Sequence, residues 1–523
     1  MPAIRVFLSI VLGLVLAACA SLPEHVERVP SIAVANTDDT RLGRALHEET
    51  AAHPGRSGIH ELPVAQEAFA ARILLAQAAD RTLDIQYYLW HADTTGWLLW
   101  EAIWQAAERG VRVRLLLDDA NTGRIDPIIA ALDEHPNIEV RLFNPFANRR
   151  FRIGDLAFDF TRVNRRMHNK SFTADNQVSI VGGRNVGDEY FGAHADIGFQ
   201  DLDVMAVGPV VREVSSQFDL FWNSESAYPA ESVILDAPED GPALLRQGWE
   251  KVHQSPEATS YMDAVRRTAL VRQTMDRSLA YEWTRAHVVN DDPAKVRDIT
   301  EREDLLMRSH LEQAMGKPAR ELDLVSPYFV PGRRGTKALE ALAKSGVKIR
   351  VLTNSLSATD VGAVHAGYSR YRKELLDDGV AIFELKPGSA LPPVRNRDED
   401  RQRGSIAGSA GSSAASLHAK TFAVDRDRLF VGSFNLDQRS IHLNTEMGIV
   451  IDSPALASRL ATQLDTRLPD IAYQVRLGPD GQTLEWIDRT PEGETHYATE
   501  PGASPMRRLW VDFLSMLPIE WLL

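Results

Sequence analysis

Two segments of the chain carry a histidine, a lysine two residues later, an aspartate five after that, and then a glycine and an asparagine. The first is "HNKSFTADNQVSIVGGRN", with His168, Lys170, Asp175, Gly182, Gly183 and Asn185; the second is "HAKTFAVDRDRLFVGSFN", with His418, Lys420, Asp425, Gly432, Ser433 and Asn435. Every spacing matches. The set suits attack on a phosphodiester, which needs a positioned nucleophile, donors against the non-bridging oxygens and a proton for the departing alkoxide. One imidazole can attack phosphorus to form a phosphoryl-enzyme, while the other protonates the leaving oxygen and later deprotonates the incoming alcohol or water. Lys170 and Lys420 would bind the phosphoryl oxygens, Asn185 and Asn435 would add neutral hydrogen bonds, and Gly182, Gly183, Gly432 and Ser433 would let the backbone come close. No cofactor is called for, and no metal-ligand cluster of the H-E-x-x-H or cysteine-rich kind is legible.

The attacking imidazole must be held in one tautomer, which calls for a carboxylate on its other nitrogen. Asp201 lies eight residues before Pro209, and Glu446 eight before Pro454. Aligned on those prolines, the two acids coincide, so the reading pairs Asp201 with His168 and Glu446 with His418, with Asp203 as the alternative in the first half.

The elements that carry these residues also come twice. "TLDIQYYLW" (82–90), a helix-like stretch and "RGVRVRLLLDDAN" (109–121) are matched by "ELDLVSPYFV" (321–330), a helix-like stretch and "SGVKIRVLTNS" (345–355). A third strand follows in each half, at 137–145 and 379–387. Strands alternating with helices predict α/β architecture: two pseudo-symmetric lobes, each a mostly parallel sheet covered by helices.

The doubled motif resembles the phospholipase D superfamily, whose two copies meet at one active site between the lobes. More narrowly, "GGRNVGDEYFG" (182–192), "LTNSLSATDVGAVHAGYSRYRKELLDDGV" (352–380) and "GSFNLDQRSIHLNTEMGIVI" (432–451) resemble the bacterial cardiolipin synthase C group. The resemblance implies His168 as nucleophile, His418 as acid and base, and structural roles for Asp175 and Asp425. It implies phospholipid substrates and transfer of a phosphatidyl group from phosphatidylglycerol to a second phospholipid, forming cardiolipin through a phosphohistidine. With water as acceptor the same chemistry would be a phospholipase D. A nuclease and an inactive envelope scaffold are the remaining readings.

The bulk properties narrow these. A formal charge of −14 over 523 residues argues against sequence-independent nucleic-acid binding, so no nucleic-acid partner is expected. Arg5 followed by an apolar run to Ala18 reads as a secretory signal, and "LAAC" ending at Cys19, the single cysteine, resembles a lipoprotein lipidation site. This places the protein in a bacterial envelope, lipid-anchored and facing the periplasm; Ala20 after the cysteine resembles an outer-membrane sorting signal. The expected division is a signal peptide (1–18), a tether (19–60), a first lobe (61–250), a helical connector (251–318), a second lobe (319–475) with a mobile loop at 388–416, and a C-terminal tail (476–523). The tail's "RRLWVDFLSMLPIEWLL" reads either as an interfacial membrane segment or as packing onto the body.

Overall fold

A computed structural model describes residues 21–194, 197–298, 302–389 and 414–523. The signal peptide and Cys19 lie outside the described residues, as does most of the predicted mobile loop. Two large sheets, of nine and ten strands, form the cores of two α/β lobes.

The first lobe is built on the strands Thr82–Tyr87, Arg112–Asp118 and Ile138–Phe143, paired in parallel through crossover helices Thr94–Glu108 and Asp126–Asp133. All six residues of Thr82–Tyr87 are buried, the pattern of a strand covered on both faces. The second lobe repeats this with Glu321–Val325, Lys348–Asn354 and Ala381–Leu385. The repetition reaches individual buried charges. Asp84 stands opposite Arg114 and accepts from its Nε at 2.7 Å, and Asp323 stands opposite Arg350 and accepts at 2.6 Å.

Parallel pairing stops at these strands. Each histidine motif forms an antiparallel hairpin, Ser171–Ala174 with Val178–Gly182 and Lys420–Val424 with Arg428–Gly432, and these join antiparallel neighbours, so the sheets are mixed and not mostly parallel. The reason is local: the short "ADNQ" and "VDRD" links let the chain only reverse. Asp175 and Asn176, like Asp425 and Arg426, take positive φ there.

Several expected boundaries shift. The segment read as a tether lies against the first lobe: Arg28 stacks on Tyr228 and donates to the Ala227 carbonyl, and Ser57–Leu62 is a strand inside the first sheet. The connector is not only helical. Its strand Glu282–Thr284 joins the first sheet and Ala286–Asn290 the second, so one short stretch ties the lobes together. The tail extends the second sheet through Leu484–Thr490 and Gly493–Tyr497 before its final helix, Pro505–Ser515. At the end of the predicted loop, Ala414–Leu417 is a strand that pairs with Ile197–Gln200 of the other lobe.

The lobes meet along an apolar layer that includes Val181, Val204 and Ala206 from the first and Val431, Met447 and Ile449 from the second. Burying this layer holds the two motif hairpins face to face, with the histidines at the shared edge.

Candidate active site

Backbone pairing across the seam sets the site. The His168 amide donates to the Thr445 carbonyl at 2.8 Å and the Thr445 amide to the Arg166 carbonyl at 2.8 Å. On the other side, the amides of His418 and Ala419 donate to the Gln200 carbonyl at 2.7 and 2.9 Å. Each histidine segment is therefore stitched to the acid-bearing segment of the opposite lobe.

The side chains follow. His168 Nδ1 donates to Glu446 Oε2 at 2.8 Å, and His418 Nδ1 donates to Asp201 Oδ2 at 2.5 Å. This reverses the pairing read from the repeat: the two acids do occupy corresponding positions, but each serves the histidine of the other lobe. Asp203 is excluded as an alternative, because Arg72 donates to it at 2.8 Å and Arg184 lies 3.4 Å away, all three side chains being buried.

The two acids are held differently. Gly183 leaves room for Asp201, since a Cβ there would lie 2.1 Å from Asp201 Oδ1. At the matching position, Ser433 donates to Glu446 Oε2 at 2.5 Å, and Ser440 donates to Oε1 at 2.7 Å. Gly182 and Gly432 have a packing role: a Cβ would come 2.5 Å from Asp203 Cα and 2.4 Å from the Met447 carbonyl, respectively.

Both imidazoles are buried, 8% and 7% exposed. Burial, with Lys170 and Lys420 nearby, pushes His168 down to about 4 against the pull of Glu446, so it is neutral with Nδ1 protonated and Nε2 free. Burial lowers His418 as well, and the neighbouring lysines add to this. Burial works against the Asp201 carboxylate, yet His418 and Lys420 hold it well below the usual range; Glu446 is lowered by His168 and Lys170 in the same way. The lysines are pushed down mainly by burial, Lys170 to about 7 and Lys420 to about 8.

Lys170 Nζ donates to the His168 carbonyl at 2.6 Å, and Lys420 Nζ lies 3.2 Å from His418 Nε2. Asn185 and Asn435 are buried with their side-chain oxygens unpartnered among the described residues; Asn185 Nδ2 donates to Tyr190 at 3.0 Å. Asp175 and Asp425 face away from the chemistry. Asp175 accepts from the amides of Asp80, Arg81 and Thr82 at 2.7 to 2.9 Å, and Asp425 accepts from those of Ala319, Arg320 and Glu321, which anchors the first strand of each lobe.

Sequence reading missed two aromatic walls. Tyr88 stands edge-on to His168 at 5.0 Å between ring centres, and Tyr190 does the same to His418 at 5.2 Å. Tyr88 directly follows the strand Thr82–Tyr87 and Tyr190 lies within "GGRNVGDEYFG", but neither belongs to the repeated motif. The described residues also bring His91, Asp93 and Glu189 close enough to share a cation. Asp93 is engaged there by the amides of Gly96 and Asp188, which makes it a helix cap.

The model of the family "Cardiolipin synthase, PLD-like domain" matches residues 72–222 and 311–468. The chain is 45% identical to cardiolipin synthase C of Escherichia coli strain K12, covering 92% of this chain and all of that one. It is 25% identical to cardiolipin synthase B of the same organism over 72% of each. A crystal structure of phosphatidylserine synthase from Haemophilus influenzae superposes with a TM-score of 0.55 over 92% of this chain and 100% of that one, at 12% identity, which is a likeness of fold.

Proposed function

The chain belongs to the cardiolipin synthase, phospholipase D-like family, and on that premise we propose that it transfers a phosphatidyl group from phosphatidylglycerol to the hydroxyl of a second phospholipid, forming cardiolipin. One observation carries the mechanism: two buried histidines face a common edge, each oriented by a carboxylate of the opposite lobe.

His168 attacks phosphorus through its free Nε2 and the donor's headgroup oxygen leaves with a proton from His418. The acceptor hydroxyl then gives its proton to His418 as its oxygen forms the new P–O bond and the P–N bond to His168 breaks. The acids support this division of labour. Glu446 spreads its charge over His168, Ser433 and Ser440, whereas Asp201 Oδ2 serves His418, so an imidazolium is better stabilised at His418. Lys170 and Lys420 supply positive charge to the phosphoryl oxygens in a site where burial strengthens it.

A membrane-facing surface fits a substrate that lives in a bilayer. Leu509, Trp510, Phe513, Met516 and Trp521 of the C-terminal segment are exposed, as are Ile153, Leu156, Phe158 and Phe160 of the first lobe. The two groups meet where Phe160 packs edge-on against Trp521, at the rim of a groove of about 340 Å³ between the lobes. No helix among the described residues is long and apolar enough to cross a membrane. On our reading the protein is attached through a lipid on Cys19 and through this surface, facing the periplasm from an envelope membrane.

The test is product analysis by mass spectrometry after incubating detergent-solubilised protein with phosphatidylglycerol, with and without phosphatidylethanolamine. Cardiolipin that disappears in His168→Ala and His418→Ala supports the assignment. Phosphatidic acid without cardiolipin makes the protein a phospholipase, and no lipid turnover overturns both.

A further inference from the structure

Joining two phospholipids requires the site to hold two phosphates at once: the one bonded to His168, and the one in the headgroup of the incoming acceptor. The paired lysines and asparagines account for the first. Next to His168 the chain offers a group that the mechanism above does not use.

Arg166 precedes His168 by two residues in an extended segment, in which alternate residues share a face, so Arg166, His168 and Lys170 form one row. Tyr88 stands against two of them and within reach of the charge of the third. Its ring lies 5.0 Å from that of His168, Lys170 Nζ sits 5.6 Å over it, and its hydroxyl feels the charges of Asp118, Arg439 and Arg166. Arg166 is 4% exposed, and its Nε and one Nη nitrogen have no hydrogen-bond partner among the described residues. Among the described residues its ion pair is to Asp118 at 3.4 Å, a carboxylate already shared with the amides of Ala120 and Met167, and its guanidinium lies 5.2 Å from the centre of the Phe146 ring, which offers no hydrogen-bond acceptor oxygen. A buried guanidinium with idle donors is costly unless something binds them.

Arg439 stands behind it, across the seam, donating to the Asn164 carbonyl at 2.9 Å. Asn164 also lines the groove whose rim carries Phe160 and Trp521. The groove therefore opens beside the exposed apolar surface, and Asn164 in its lining is held by Arg439. The second lobe lacks this arrangement, because Ser416 occupies the place of Arg166 in the row with His418 and Lys420. The doubled site is thus polarised, with the spare cation on the His168 side.

We propose that Arg166, backed by Arg439, binds the phosphate of the acceptor phospholipid and so directs the phosphatidyl group to a lipid hydroxyl in preference to a small alcohol. This rests on the phosphatidyl-transfer reading above. A guanidinium suits the task because it can hold two phosphate oxygens side by side.

Partitioning of one intermediate tests it. The full-length protein in detergent is given phosphatidylglycerol and a fixed concentration of ethanol, and cardiolipin and phosphatidylethanol are quantified together. Both products form from the same phosphohistidine, so their ratio reads acceptor choice apart from overall activity. In Arg166→Gln the ratio of cardiolipin to phosphatidylethanol should fall about tenfold or more, and Arg166→Lys should recover part of it. If Arg166→Gln does not fold, Arg439→Gln and Arg166→Lys are read on the same ratio and should both lower it. A ratio equal to that of the unaltered protein overturns the inference and leaves the synthase assignment standing. Unaltered protein that makes phosphatidylethanol but no cardiolipin overturns both.

Discussion

Glu446 of the second lobe accepts a hydrogen bond from Nδ1 of His168 in the first at 2.8 Å, and the relation is reciprocal, since Asp201 of the first lobe holds His418 of the second. Each half-site is completed by the other half of the chain. A lobe that moved by an ångström would disorient both imidazoles at once.

Replacing Glu446 with Gln should therefore disturb His168 and leave His418 in place. We expect a loss of about a thousandfold in kcat, by analogy with a triad whose orienting carboxylate is made neutral. Nitrogen NMR of the histidines checks the assignment: the Nδ1–H tautomer of His168 should be lost in Glu446→Gln and kept in Asp201→Asn. The opposite pattern would mean that the acids act within their own lobes.

The pH profile should have an alkaline limb set by the lysines. Burial lowers Lys170 to about 7 and Lys420 to about 8, so rising pH removes their protons across that interval and kcat/KM should fall. Lys170→Arg keeps its charge and should carry the limb upward; a limb that stays put would assign it to another group. On the acid side, His168 is lowered from 6.5 to about 4 in the folded protein. It contributes stability above pH 6.5, and that contribution is lost as the pH falls through about 4.

Asp175 and Asp425 should affect folding more than chemistry, and unequally. Each accepts from three consecutive amides, but Asp175 is fully buried and Asp425 is partly open to water. Asp175→Ala is expected to cost about 3 kcal/mol and Asp425→Ala about 1 kcal/mol, read from thermal or denaturant unfolding. The fraction of Asp425→Ala that folds should retain kcat within about twofold.

Gly183→Ala should inactivate the enzyme while leaving it folded. The added methyl would occupy the space of the Asp201 carboxylate and free His418 from its orienting partner. We expect a loss of about a hundredfold or more in kcat with little change in circular dichroism. Ser433→Gly at the matching position removes only one donor to Glu446 and should cost about tenfold.

The kind of chemistry is legible in the sequence alone. Two copies of a histidine, lysine, aspartate and asparagine at matching offsets name a phosphoryl-transfer site, and the repeated strands around them imply two similar lobes, because motif spacing and hydrophobic period are local properties. Alignment of the repeats also found Asp201 and Glu446. It could not say which histidine each would meet, because equivalent positions in two lobes are alike by internal symmetry and the choice depends on how the lobes dock. Only the tertiary structure made that choice, through the apolar layer that presses the motif hairpins together and the backbone bonds from His168 to Thr445 and from His418 to Gln200. The same holds for Tyr88, Arg166 and Arg439. Tyr88 and Arg439 share no repeat and no spacing with the motifs and reach the His168 side only through the fold, whereas Arg166 adjoins His168 in sequence and what the fold decides is that two of its buried donors have no partner among the described residues.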